Sequence, residues 1–127
     1  DVPEGRIAIE KLEPGDVVES FDPHRGLVHA RVIGETVHRD RALLRIVLDD
    51  GTELEATPEH VLLVGEDHRP RAASTVRVRD VLSIRTDDAL LERRIVSIEP
   101  SRTADVYELR VTAPDTYFAN GVLVHNY

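Results

Sequence analysis

Apolar and polar positions alternate in short runs along most of this chain, and turn residues break the runs at regular intervals. Arg6 to Leu12 alternates, with Ile7, Ile9 and Leu12 apolar, and Glu13-Pro14-Gly15-Asp16 predicts a turn. Val17 to Phe21 reads as a strand, turned back by Asp22-Pro23-His24-Arg25-Gly26. Leu27 to Thr36 and Leu43 to Leu48 predict two further strands, and Asp49-Asp50-Gly51-Thr52 is the clearest hairpin signal in the chain. Glu53 to Thr57 returns from that hairpin. Thr57-Pro58-Glu59-His60 predicts a compact turn before a buried-type strand, Val61 to Val64.

Gly65 to Ser74 is polar, carries Pro70 and predicts a surface loop, with a single helical turn at Ala72 to Val76. Val81 to Ile84, Arg94 to Ile98 and Val106 to Val111 predict strands. Tyr117 to Ala119 and Val122 to His125 predict two more around Asn120-Gly121. No stretch long enough for an ordinary helix shows the helical period. The pattern predicts an all-β domain, a sandwich or barrel-like arrangement.

A weak internal repeat runs through these strands. Leu12 to Val18 resembles Val76 to Leu82 at an offset of 64 residues. Arg31-Val-Ile lands on Arg94-Ile-Val, and Leu43 to Leu48 on Val106 to Val111, both at 63. Two halves of similar strand order predict a pseudo-two-fold β fold.

At 127 residues, the simplest organisation is one domain spanning 1–127, able to bury roughly two-thirds of its unfolded surface. The formal charge of −8 argues against a nucleic-acid backbone or an anionic membrane as principal partner. The absence of cysteine removes disulfides, thiolate metal sites and thiol nucleophiles together. No spacing calls for a cofactor or a metal. His24, His29 and His38 have no ligand spacing to one another and read as surface residues.

Three places remain where chemistry is possible. Thr57 and His60, three residues apart across a tight turn, are able to face one point, where the pair would bind a carbonyl and protonate a leaving amine. Taken alone, they also read as a turn cap and an ordinary half-buried histidine. The C-terminal group is Asp115, Asn120, Gly121, His125 and Asn126, and the third place is the segment beginning at Asp1. An asparagine side-chain amide is able to attack its own carbonyl and close a succinimide, given a donor for the oxyanion and a proton for the leaving amine.

Read together, Gly5, Leu12 to Val18, Thr57 to Val61, Val106-Tyr107-Glu108-Leu109 and Tyr117 to Asn126 resemble, in order, the motifs of the Hint family, the hedgehog/intein self-processing fold. Within the family the chain is similar to mini-inteins, and more so to bacterial intein-like domains. The resemblance implies a horseshoe of curved β strands with a pseudo-two-fold axis, bringing both ends of the chain to one site. It implies that Thr57 and His60 hold and strain the peptide bond before Asp1, and that Asn126 cyclises to break the bond to Tyr127, assisted by His125. Asp115 falls where the family usually has a histidine assisting this second step.

Two end residues also depart from the family. Asp1 stands where a Cys or Ser nucleophile is expected, so the N-terminal acyl shift is expected to be disabled. Tyr127 stands where splicing needs Cys, Ser or Thr, so no efficient ligation is expected. The resemblance thus implies a monomeric, single-turnover cleaver of its own flanking segments, of the kind found in bacterial secreted adhesins and toxins. The alternative is a degenerate Hint fold acting as an inert structural or interaction module.

Overall fold

The computed structural model describes residues 12–22, 24–87 and 89–125. Within them the chain forms nine strands: β1 (Val17–Asp22), β2 (Gly26–Leu48), β3 (Glu53–Ala56), β4 (Val61–Val64), β5 (Arg69–Ala72), β6 (Val81–Arg85), β7 (Leu90–Val111), β8 (Thr116–Ala119) and β9 (Val122–His125). A single 3-10 turn, Ala73–Thr75, is the helical element among them, where one helical turn was predicted. All pairings are antiparallel, in the order β1-β2-β7-β6-β4-β9-β8, with β3 added to β2 and β5 to β4.

The alternation located the strands and misjudged their lengths. The separate strands predicted at Leu27–Thr36 and Leu43–Leu48 are parts of the 23-residue β2, and those at Arg94–Ile98 and Val106–Val111 are parts of the 22-residue β7. The polar residues between them gave no apolar signal, yet β2 and β7 pair through that region, Arg41 with Ala104 and Ala42 with Thr103. Backbone pairing with a partner strand is what holds polar stretches extended here. The same effect corrects the predicted loop Gly65–Ser74: Arg69–Ala72 pairs residue by residue with β4. The alternation predicted from Arg6 lies outside the described residues except for Leu12, which is buried.

The pairing of β2 with β7 carries the repeat. Val32 pairs with Val111, and the residues 63 positions on and back, Ile95 and Leu48, pair with each other. The same relation holds for Gly34–Arg110 and Ser97–Val47, for Glu35–Leu109 and Ile98–Ile46, and for Thr36–Glu108 and Glu99–Arg45. The 64-residue offset also returns. The Glu13 amide donates to Asp16 Oδ2 at 2.9 Å, and the Arg77 amide to Asp80 Oδ2 at 2.8 Å. Each aspartate carboxylate accepts from the amide three residues before it and closes the turn that starts a half, and this common role accounts for the match of Asp16 with Asp80 in the repeat. Leu12 and Val76, the residues before these turns, are both buried.

The core runs between the halves. Ile46, Leu62, Leu82, Ile95, Val122 and Val124 are almost fully buried, each worth about 1.5–3 kcal/mol of burial. The halves differ at one connection. The β8–β9 hairpin is the two-residue turn Asn120-Gly121, with both φ values positive (48° and 81°), the geometry that matches strand twist. The corresponding β3–β4 connection is longer, running from Thr57 to His60.

Candidate functional site

The Thr57–His60 turn is held on its backbone rather than by its side chains. The His60 amide donates to Thr57 O at 3.1 Å, the Ala73 amide to His60 O at 2.8 Å, and the Ser74 amide to Pro58 O at 2.9 Å. The 3-10 turn therefore buttresses the connection from behind. Thr57 and His60 are both buried, while Glu59 between them reaches outward to pair with Arg41.

Glu108 lies against His60, and its side chain is fully buried. Its Oε2 is 2.5 Å from His60 Nδ1, and its Oε1 is 2.7 Å from His38 Nε2. These are ion-pair contacts in which neither side is turned to ideal hydrogen-bond alignment. An N–H on each of these nitrogens, facing its carboxylate oxygen, makes both contacts attractive. The His60 nitrogen not engaged by Glu108 is Nε2, which is buried and has no hydrogen-bond partner among the described residues. A fully buried carboxylate costs several kcal/mol unless it is paired, and two imidazoles meet that cost here.

This arrangement revises the sequence reading of two residues. His38 is not a surface histidine: its side chain is 13% exposed and packed on Glu108. Glu108 was noted for its motif and given no role. Strict alternation in Val106–Val111 would send it to solvent, opposite Leu109 and Val111. That face of β7 is covered instead, with Glu108 enclosed between β2 and the Thr57–His60 turn. No local signal marked it, since Glu108 and Arg110 fall on the same alternating face and only Arg110 is exposed.

The β4–β9 pairing brings the C-terminal group to the same end of the sheet. Leu62 pairs with Val124, so the start of β4, just after His60, adjoins the end of β9 at His125. Thr116 pairs with His125, which sets Asp115 one residue from that pair. Asp115 is exposed, in left-handed conformation (φ 70°), its amide donating to Thr112 O at 3.1 Å. Asn120 is a turn residue whose Nδ2 donates to Glu53 O at 2.6 Å. Asp1, Gly5, Asn126 and Tyr127 lie outside the described residues. Among the described residues, no group of His, Asp and Glu is arranged to hold a metal ion; in the Glu108 cluster His60 Nδ1 and His38 Nε2 face separate carboxylate oxygens rather than a common point.

Tyr117 closes the cluster from the other side. The Leu109 amide donates to its hydroxyl at 3.2 Å. Burial, followed by the nearby Glu108 charge, pushes the phenol well above its ordinary range against the opposing effect of that hydrogen bond.

No protein-family model and no curated protein sequence matches the chain. Solved structures do. A DnaB intein from Synechocystis sp. superposes with a TM-score of 0.85 at 19% identity, covering 96% of this chain and 87% of that one. The gp41-1 intein gives 0.76 at 21% identity, covering 93% and 85%. A bacterial intein-like domain from Clostridium thermocellum gives 0.78 at 25% identity, covering 94% and 88%. Strand order, pseudo-two-fold pairing and these superpositions agree: the chain has the Hint-type fold of inteins and bacterial intein-like domains.

Proposed function

We propose that this domain is a single-turnover self-processing module that breaks the peptide bond between Asn126 and Tyr127. The observation that carries the reading is the β4–β9 pairing, which delivers His125 to the end of the sheet occupied by the buried Thr57–His60 turn. A Hint-type fold with that juxtaposition supports autoprocessing over an inert module.

In the proposed step, Asn126 Nδ2 attacks the Asn126 carbonyl carbon. The C–N bond to Tyr127 breaks, the side-chain nitrogen gives up a proton, and the departing Tyr127 amine gains one. The product upstream is a C-terminal succinimide. His125 binds the scissile carbonyl or serves the proton transfers, tasks for which an imidazole is suited near neutral pH. Asp1 gives no corresponding N-terminal step, because carboxylate attack would produce a high-energy anhydride. Tyr127 offers no Cys, Ser or Thr to take over an acyl group, so the outcome is cleavage without ligation. The substrates are the domain's own flanking segments.

The test is a fusion with a reporter after Tyr127, followed by intact-mass spectrometry. The upstream fragment should end at Asn126 and be lighter by one water than its hydrolysed form, and Asn126→Ala should stop its formation. Cleavage that continues unchanged in Asn126→Ala overturns the mechanism. An intact fusion after long incubation across pH favours the inert module.

A further inference from the structure

We infer that His38 is a positioning residue of the processing site, acting through Glu108 to set the proton-bearing nitrogen and the orientation of His60. The inference deepens the self-processing reading and rests on it for its catalytic consequence, though not for its structural one.

The first support is stoichiometric. Glu108 is fully buried, and its two oxygens have two close partners, His60 Nδ1 on one and His38 Nε2 on the other. A carboxylate stripped of water needs both oxygens engaged to stay charged. If His38 is removed, Oε1 loses its partner, and the carboxylate is free to turn away from His60 toward another donor. Its hold on the His60 Nδ1 proton is then lost. His60 becomes free to shift that proton to Nε2, the nitrogen that has to face the reacting chain unprotonated or pass its proton on. Among the described residues, the Tyr117 hydroxyl also feels the Glu108 charge, and it is engaged by the Leu109 amide.

The second support comes from the fold's own symmetry. The 63-residue offset carries His38 onto Ser101 and Glu108 onto Arg45. Those two also touch, Arg45 Nη2 donating to Ser101 Oγ at 3.4 Å. The architecture therefore juxtaposes this pair of positions in both halves. At the Arg45–Ser101 end, away from His60, the contact is an exposed one, the Ser101 hydroxyl turned to Glu55. Only beside His60 is it a buried ionisable pair. The counterpart positions hold a serine and an arginine, so the histidine and glutamate are particular to the side that carries His60. The third member, His60, has no counterpart in the other half, where the connection is the short Asn120-Gly121 turn.

The experiment reads the His60 ring directly. In the full chain bearing Asn126→Ala, long-range 15N–1H spectra should report His60 protonated at Nδ1 at neutral pH. His38→Leu should move the ring nitrogens toward a mixture with Nε2–H. His38→Gln, whose amide nitrogen reaches the place of Nε2, should keep the parent pattern. His38→Asn, whose amide falls short of Glu108, should resemble His38→Leu and serves in its place if that variant does not fold. The functional arm uses Asp1→Cys with an upstream reporter and an added thiol. The new Sγ attacks the preceding carbonyl, the residue-1 amine leaves with a proton, and the added thiol displaces the resulting thioester. His38→Leu and His38→Asn should slow reporter release at least tenfold, with His38→Gln within about threefold of the parent. If the Asp1→Cys parent releases nothing, the spectra alone decide the role of His38, and the self-processing reading stands or falls separately on the Asn126 reporter fusion. Folded His38→Leu or His38→Asn protein with unchanged His60 ring signals overturns the inference.

Discussion

Gly15 and Arg79 occupy the same position in the two halves of the molecule, and both have positive φ, 95° and 85°. Gly15 donates its amide to Val32 O at 2.8 Å, and Arg79 donates to Ile95 O at 2.9 Å, the symmetry-related acceptors. The turn demands the left-handed conformation in both places, and only one half supplies the residue that adopts it without strain. Arg79→Gly should therefore stabilise the domain by about 1 kcal/mol, since strain relief exceeds glycine's added unfolded-state entropy. Urea denaturation checks this, with an unchanged m-value and a raised midpoint expected.

Tyr117 gives the domain an alkaline limit. Its phenol is raised above the ordinary range by burial and then by the Glu108 charge, so the folded state keeps the proton when the unfolded chain has lost it. The stabilisation is complete below the unfolded pKa of about 10 and is lost as pH rises above it, at about 1.4 kcal/mol per pH unit. Tyr117→Phe should flatten that decline above pH 10. It should cost about 1–3 kcal/mol at pH 7 by leaving the buried Leu109 amide without its acceptor. Urea midpoints measured from pH 7 to 11 test both signs.

Asn120 contributes to structure rather than to cleavage. Its left-handed φ of 48° and its Nδ2 bond to Glu53 O fix the β8–β9 hairpin against the β3 segment. Asn120→Ala should cost about 1–2 kcal/mol through the lost bond and the strained turn, and Asn120→Gly less. Neither should move the cleavage point: the upstream fragment should still end at Asn126 and differ from the parent's only by the mass of the substitution, which separates the two asparagines of this region by a single mass-spectrometric comparison.

Asp115 offers a gain-of-function test. It is exposed, one residue from the Thr116–His125 pair, at a position where the resembling family usually carries a histidine. Asp115→His should speed cleavage at Asn126–Tyr127 severalfold near neutral pH, where an imidazole is able both to accept and to donate a proton. The rate of fragment appearance in the reporter fusion measures it. A rate unchanged from the parent would show that this position takes no part in the step.

By itself, the sequence determined the strands, the turns and the repeat. The alternation of Val17 to Phe21 and Val106 to Val111, the Asp-Gly and Asn-Gly hairpins and the offset of 63 are local signals, set by side-chain periodicity and by turn residues that tolerate positive φ. They were legible because each element's chemistry is written within a few residues. The order of Thr57–His60 and His125 along the chain also suggested a shared centre. The tertiary structure decided what no local pattern holds. It decided that β2 and β7 run unbroken through polar residues, because backbone pairing to a distant strand holds them extended. It decided that Arg69–Ala72 is a strand on β4. It decided, too, that Glu108 is enclosed between His38 and His60, residues 70 and 48 positions away in the chain. Burial of a charge depends on what folds over it, so a strand that reads as half-exposed in sequence is able to carry the most buried carboxylate in the site.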